Sequence, residues 1–168
     1  MRWPGLIALT LALIIVPFLL FEDALTVWAE ALVAEDNAQL AIAGGVVLAL
    51  TLDVFLPIPS SIVALAAGAL LPFGWALASI WAGYCLSCAV GYELGVRLPV
   101  EENARAEALF ERWGAWAVVI SRPAPVLAEA TAILAGAGRM SRQTFYLTTA
   151  AANLVMAGIY TFFGSGLV

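Results

Sequence analysis

The chain has 168 residues, of which 64% are hydrophobic and only 11% charged, with mean hydropathy +1.00 and net charge −5. Soluble domains carry about 25% charged residues, so this composition is that of an integral membrane protein, with room for about four or five crossings of ~20 residues. All seven basic residues are arginine and histidine is absent, which removes the basic footprint of a nucleic-acid binder and leaves proton chemistry to carboxylates.

In chain order, Pro4–Phe21 reads as a retained first transmembrane helix, slightly long for a secretory h-region, with Trp3 as an interfacial anchor. Glu22–Asn37 is acidic, and Leu25, Trp28, Ala29 and Leu32 recur at helical spacing, which predicts an amphipathic helix on the membrane surface. These segments make an N-terminal part, 1–38, ahead of a membrane domain, 39–168. Gln39–Phe55 is predicted as the next transmembrane helix.

From Val54 to Tyr92 the chain is uncharged, roughly 58 Å if wholly helical. Pro57-Ile58-Pro59 and Leu71-Pro72-Phe73-Gly74 bracket its first half, with Ala66-Ala67-Gly68 as the expected tight bend of a re-entrant hairpin. Trp75–Glu93 is a full transmembrane helix, with Glu93 and Arg97 spaced as a local ion pair. Its Cys85-x-x-Cys88 is read as small residues packed in a helix interface, since two thiols do not close a zinc site. Arg97–Trp113 is a charged surface helix, Gly114–Ser121 an apolar lead-in, Arg122–Arg139 a second interrupted segment, and Arg142–Leu167 the last transmembrane helix. Asn153 in that helix is a candidate interhelical hydrogen-bond donor.

The two interrupted segments read alike. Pro57-Ile58-Pro59 runs to Ala67-Gly68, and Pro123-Ala124-Pro125 runs to Ala135-Gly136, each followed by a breaker and a full helix. With one transmembrane helix between them, two re-entrant segments enter from opposite faces and meet near the midplane as an inverted repeat, the arrangement from which many transporters build a substrate site. The fold expected is therefore all-α: about four transmembrane helices, two opposed re-entrant helical hairpins, and amphipathic surface helices. The hairpin motif residues are Pro57, Pro59, Gly68, Pro123, Pro125 and Gly136.

Charge isolation selects the site. No charged residue lies between Asp36 and Asp53 or between Asp53 and Glu93, and Glu129 stands between Arg122 and Arg139. A carboxylate at the bilayer centre costs at least ~2.5–3.5 kcal/mol, so such residues mark function by default. Asp53 also admits an interfacial reading, and Arg122 a snorkelling one. The predicted substrate or ion path comprises Asp53, Arg122, Glu129, Ser60, Ser61 and Thr131, with Glu129 expected to pair with Arg122. No catalytic constellation, cofactor or metal site is expected, and an enzyme is disfavoured because no nucleophile–base pair is in sight.

Leu56-Pro57-Ile58-Pro59-Ser60-Ser61 with Ala67-Gly68 and Gly91-Tyr92-Glu93-Leu94-Gly95-Val96-Arg97 resembles the first half of a DedA-family (VTT-domain) membrane protein. Ser121-Arg122-Pro123-Ala124-Pro125 with Leu134-Ala135-Gly136, Met140, Phe145 and Gly164 resembles the second half, the likeness spanning about residues 40–166. The resemblance implies facing re-entrant hairpins, a multi-pass protein of the bacterial inner (plasma) membrane, and movement of phospholipids or polyprenyl phosphate carriers between leaflets, with protons and a second copy of the chain as further candidate partners. Asp53 matches the family acid before the first proline motif, Arg122 the first arginine of an R-x-x-P-x-x-R pattern, and Pro125 its proline. The second arginine of that pattern falls on Ala128, beside Glu129, and the acid after the first P-x-P falls on Ser60 or Ser61. The mechanism implied is a flippase or scramblase in which Arg122 holds a phosphate and the carboxylates balance it and carry protons. The rival reading is a non-transporting membrane protein with a structural or envelope-assembly role.

Overall fold

The computed structural model describes residues 38–56, 58–98, 110 and 112–167. The readings placed on 1–37, on Pro57 and on most of the 97–113 surface helix lie outside the described residues.

Among the described residues six helices follow in order: α1 (Ala38–Leu52), α2 (Ser60–Leu70), α3 (Phe73–Val96), α4 (Ala115–Ser121), α5 (Pro125–Ala137) and α6 (Arg142–Ser165). Proline sets several of the boundaries. Pro59 precedes α2 and leaves its carbonyl to the amide of Ile62 at 2.8 Å. Pro72 forces Leu71 into extended backbone (φ −108°, ψ 149°), which stops α2 and starts α3. Pro125 does the same to Ala124 (φ −115°, ψ 105°) and then occupies the first turn of α5, where its missing N–H costs nothing. The Ser141 hydroxyl caps α6 by accepting the Thr144 amide at 3.2 Å, a contact worth about 1 kcal/mol.

The helices α3 and α6 are each 24 residues long, with mean hydropathy 1.4 and 1.3 in their most apolar windows. At 1.5 Å per residue each spans roughly 36 Å, enough for a hydrocarbon core of about 30 Å. They pack on one another, and the short helices pack in a crossed-over order: α2, ahead of α3, packs on α6, and α5, ahead of α6, packs on α3, as α1 also does. Glycines permit this. A Cβ on Gly68 would stand 2.9 Å from the Tyr160 carbonyl oxygen and 3.0 Å from Gly164 Cα, while one on Gly136 would overlap the Tyr92 carbonyl and one on Gly95 the Ile133 carbonyl. Backbone-to-backbone approach of this kind is how membrane helices gain contact without a hydrophobic driving force.

The described section exposes many large apolar side chains and buries polar ones among an apolar core. Leu48, Ile62, Trp116, Val126, Leu147, Val155 and Phe162 are exposed, whereas Ser60, Ser79, Ser87, Thr149, Asn153 and Thr161 are buried. On α6 the buried face runs Phe145, Thr149, Asn153, Ala157, Thr161, Gly164.

Two sequence expectations are corrected and one is made more specific. Ala66-Ala67-Gly68 is not a bend: all three lie within the unbroken α2, and Gly68 is there for close approach to α6. The apolar lead-in Gly114–Ser121 is helical: Gly114 (φ 51°) starts the helix α4, which packs on α5. Glu93 pairs with Arg142 at 3.0 Å rather than with Arg97, because α6 begins beside the end of α3 and offers a bidentate fork.

Candidate functional site

The turn after α1 and the start of α5 meet over the middle of α3 and α6, and a cavity of about 30 Å³ lies where they join. That is room for one or two waters. Asp53 enters it from the turn after α1, Ser60 from the first residue of α2, and Glu129 from the second turn of α5. Tyr84, Ser87 and Cys88 line it from α3, and Asn153, Met156 and Tyr160 from α6. The Asp53 and Glu129 carboxyls face one another and interact directly.

Arg122 follows α4 and turns inward, 7% exposed. Its Nε donates to the Val118 carbonyl at 3.0 Å, and its Nη1 to Cys88 Sγ at 2.7 Å and Asn153 Oδ1 at 3.4 Å. Nη2 is buried without a hydrogen-bond partner. Neither acid reaches it: among the described residues the ion pair present is Arg142–Glu93, so the expected Glu129–Arg122 pair is not formed. The physical reason is local. Val118, one turn back on α4, and the α3–α6 seam claim the guanidinium before α5 does. What remains is a buried cation with one nitrogen free, in the same cavity as a facing pair of acids.

A second, wider cavity of about 570 Å³ opens beside the first. The two share Asp53, Ser60, Pro125 and Glu129, so the carboxyl pair borders both spaces, whereas Arg122 lines the inner one alone. Val54, Phe55, Leu56, Ile58, Pro59, Ser61 and Val126 complete the wider wall.

Residues 58–166 match the VTT domain. The chain belongs to the VTT-domain (DedA) family. No curated protein and no solved structure matches it. It is thus a VTT-domain membrane protein with two candidate transmembrane helices among the described residues, α3 and α6.

The structure gathers Asp53, which precedes the matched VTT range, with Arg122, Glu129 and Ser60 on one cavity, and places Ser61, Pro59 and Pro125 on its wider mouth. Ser61 Oγ also meets the Tyr160 hydroxyl at 3.1 Å. Thr131 lies farther along α5, outside the linings of both cavities, and Pro123 is exposed in the turn between α4 and α5. Gly68 and Gly136 serve helix contacts away from the cavities. Sequence reasoning missed Tyr84, Ser87, Cys88, Met156 and Tyr160, and saw Asn153 only as a packing donor. The available signal was spacing: Tyr84, Ser87 and Cys88 share one face of α3, and Asn153, Met156 and Tyr160 one face of α6.

Proposed function

We propose that this protein moves a phosphate-bearing lipid headgroup across the membrane, as a flippase or scramblase of phospholipids or polyprenyl phosphate carriers in a bacterial plasma membrane. The observation that carries the reading is Arg122: a buried guanidinium with Nη2 unpartnered, lining a cavity with two acids. A buried charged nitrogen is costly unless something binds it. A phosphate oxygen supplies a charge-assisted hydrogen bond of the strong kind.

In this reading the headgroup occupies the wider space while its acyl chains stay in lipid, and its oxygens reach Arg122 past Asp53 and Glu129. An anion passes two carboxylates only when their charge is reduced, so proton uptake by the pair accompanies headgroup entry and its release accompanies exit. The two interrupted segments are read as re-entrant hairpins of an inverted repeat. The crossed packing supports this, since α2 leans on α6 as α5 leans on α3, each contact closed by a glycine pair.

The test is headgroup translocation in proteoliposomes with labelled phospholipids and a labelled polyprenyl phosphate. Wild type is expected to exceed protein-free vesicles for at least one of them, and to respond to an imposed pH gradient. A rate equal to that of protein-free vesicles for every lipid overturns the reading.

A further inference from the structure

We propose that Cys88 is a peroxide-reactive site: hydrogen peroxide enters the inner cavity, oxidises the Cys88 thiol, and so closes Arg122 to other ligands. The Cys85-x-x-Cys88 pair looks like packing in sequence, yet its two members sit differently. Cys88, 5% exposed, lines the inner cavity, whereas the half-buried Cys85 lines neither cavity. Two further groups in that cavity point to a small polar guest. Arg122 is 7% exposed with Nη2 unpartnered, and Ser60 is 2% exposed with Oγ unpartnered. The volume of about 30 Å³ matches a molecule the size of one or two waters. Hydrogen peroxide is such a molecule. It reaches the cavity from the wider space through the lining that the two have in common.

The chemistry balances with groups already in place. The Cys88 sulfur attacks one peroxide oxygen; the S–O bond forms as the O–O bond breaks. The departing oxygen leaves as hydroxide and takes the thiol proton, giving water and a sulfenic acid, with sulfur oxidised by two electrons and peroxide reduced by two. The guanidinium stands beside both ends of this exchange. Its Nη1 already donates to Cys88 Sγ at 2.7 Å, and the free Nη2 is a charged donor for the leaving oxygen. Asn153 Nδ2, 3.7 Å from the same sulfur, is the second donor on that side. The added oxygen then fills the water-sized space and accepts from Arg122.

Oxidation is read by mass, independently of transport. The full-length protein in lipid vesicles is exposed to hydrogen peroxide, quenched with catalase, then unfolded in dimedone, which traps sulfenic acids as a thioether. Peptide mapping of wild type is expected to place the adduct on Cys88. In single-thiol chains, Cys85→Ser is expected to be oxidised roughly tenfold faster than Cys88→Ser. Cumene hydroperoxide, too large for the cavity, is expected to leave Cys88 unmodified. An adduct mainly on Cys85, equal rates in the two single-thiol chains, no adduct, or equal reaction with the bulky peroxide each overturns the site. The effect on translocation rests on the function proposed above: peroxide is expected to slow wild type and Cys85→Ser, while whatever rate Cys88→Ser retains is unchanged. Untreated protein that does not translocate lipid defeats the transport reading and leaves the mass result to decide the peroxide site.

Discussion

Arg142 and Arg122 make a controlled contrast within one molecule. Arg142 begins α6 and meets Glu93 of α3 through hydrogen bonds of 3.1 and 3.0 Å, and the Tyr146 hydroxyl donates to the same carboxylate at 3.1 Å. Both partners are open to their surroundings, with side-chain exposures of 63% and 40%. Arg122 is buried, contacts a carbonyl, a thiol and an amide oxygen, and keeps Nη2 free beside two acids that face each other instead. The first arrangement answers every charge it presents and ties two helices together. The second leaves a charge unanswered where leaving it so is expensive. A polar cluster that is complete reads as architecture; one that is incomplete in a dry interior reads as a place for a ligand.

The largest expected effect comes from removing the unanswered charge. Arg122→Ala deletes the phosphate's charge-assisted hydrogen bond, about 1.5–3 kcal/mol, or roughly ten- to hundredfold in translocation rate. Arg122→Lys separates charge from shape. Lysine restores a cation but not the fork that holds Val118, Cys88 and Asn153 while pointing Nη2 inward. Recovery of less than half the lost rate is expected in the lipid-translocation assay at matched incorporation. Full activity of Arg122→Ala ends the contrast.

Next come the acids. Glu129→Gln and Asp53→Asn each leave a single carboxyl on the cavity, which removes the paired site of the proposed proton coupling and lowers the barrier to an anion. Translocation in these variants is expected to lose its dependence on an imposed pH gradient while retaining a basal rate within roughly tenfold of wild type. A gradient response as steep as wild type's in both variants removes proton coupling from the proposal.

Packing at the crossed helices follows. Gly136→Val places its Cβ against the Tyr92 carbonyl of α3, and neither backbone has a flexible end to give way. Overpacking of this kind costs typically ~1–3 kcal/mol, read as a lower melting temperature in detergent. Gly158→Ala, with nothing within 4 Å of the added methyl, is the matched control and is expected to melt with wild type. Equal melting of the two glycine variants means that the α3–α5 contact is looser than it stands.

Much of the fold was legible because membrane helices announce themselves by length and apolarity. Trp75–Glu93 and Arg142–Leu167 were expected, and α3 and α6 run Phe73–Val96 and Arg142–Ser165. The ends of the short helices α2 and α5 were legible from Pro59, Pro72 and Pro125, whose fixed geometry acts locally. Gly68 was misread because a glycine in an apolar run serves a bend and a close helix contact equally well, and only the neighbour decides. The charged members of the site stood out by isolation. Its neutral members did not: Ser87, Cys88 and Tyr84 are compatible with helix packing until Arg122 is brought to Cys88 from 34 positions away. The partner of Arg122 was misassigned for the same reason, since nearness in sequence favoured Glu129 and tertiary packing favoured α3 and α6.

The smallest expected effect lies at the complete cluster. Arg142→Gln removes the bidentate pair but keeps a polar side chain at the first position of α6, whose start is still held by the Ser141 cap. Glu93 retains Tyr146 as a donor, and its exposure lets solvent or lipid headgroups answer the charge. Exposed pairs contribute little, so translocation within about twofold of wild type and a slight loss of thermal stability are expected. The decisive number is the ratio of the two arginine variants in one assay. If Arg142→Gln slows translocation as much as Arg122→Ala, the incomplete cluster is not special, and the pair at the end of α3 becomes part of the path. If only Arg122→Ala does, exposure and completeness distinguish the two arginines as the geometry says.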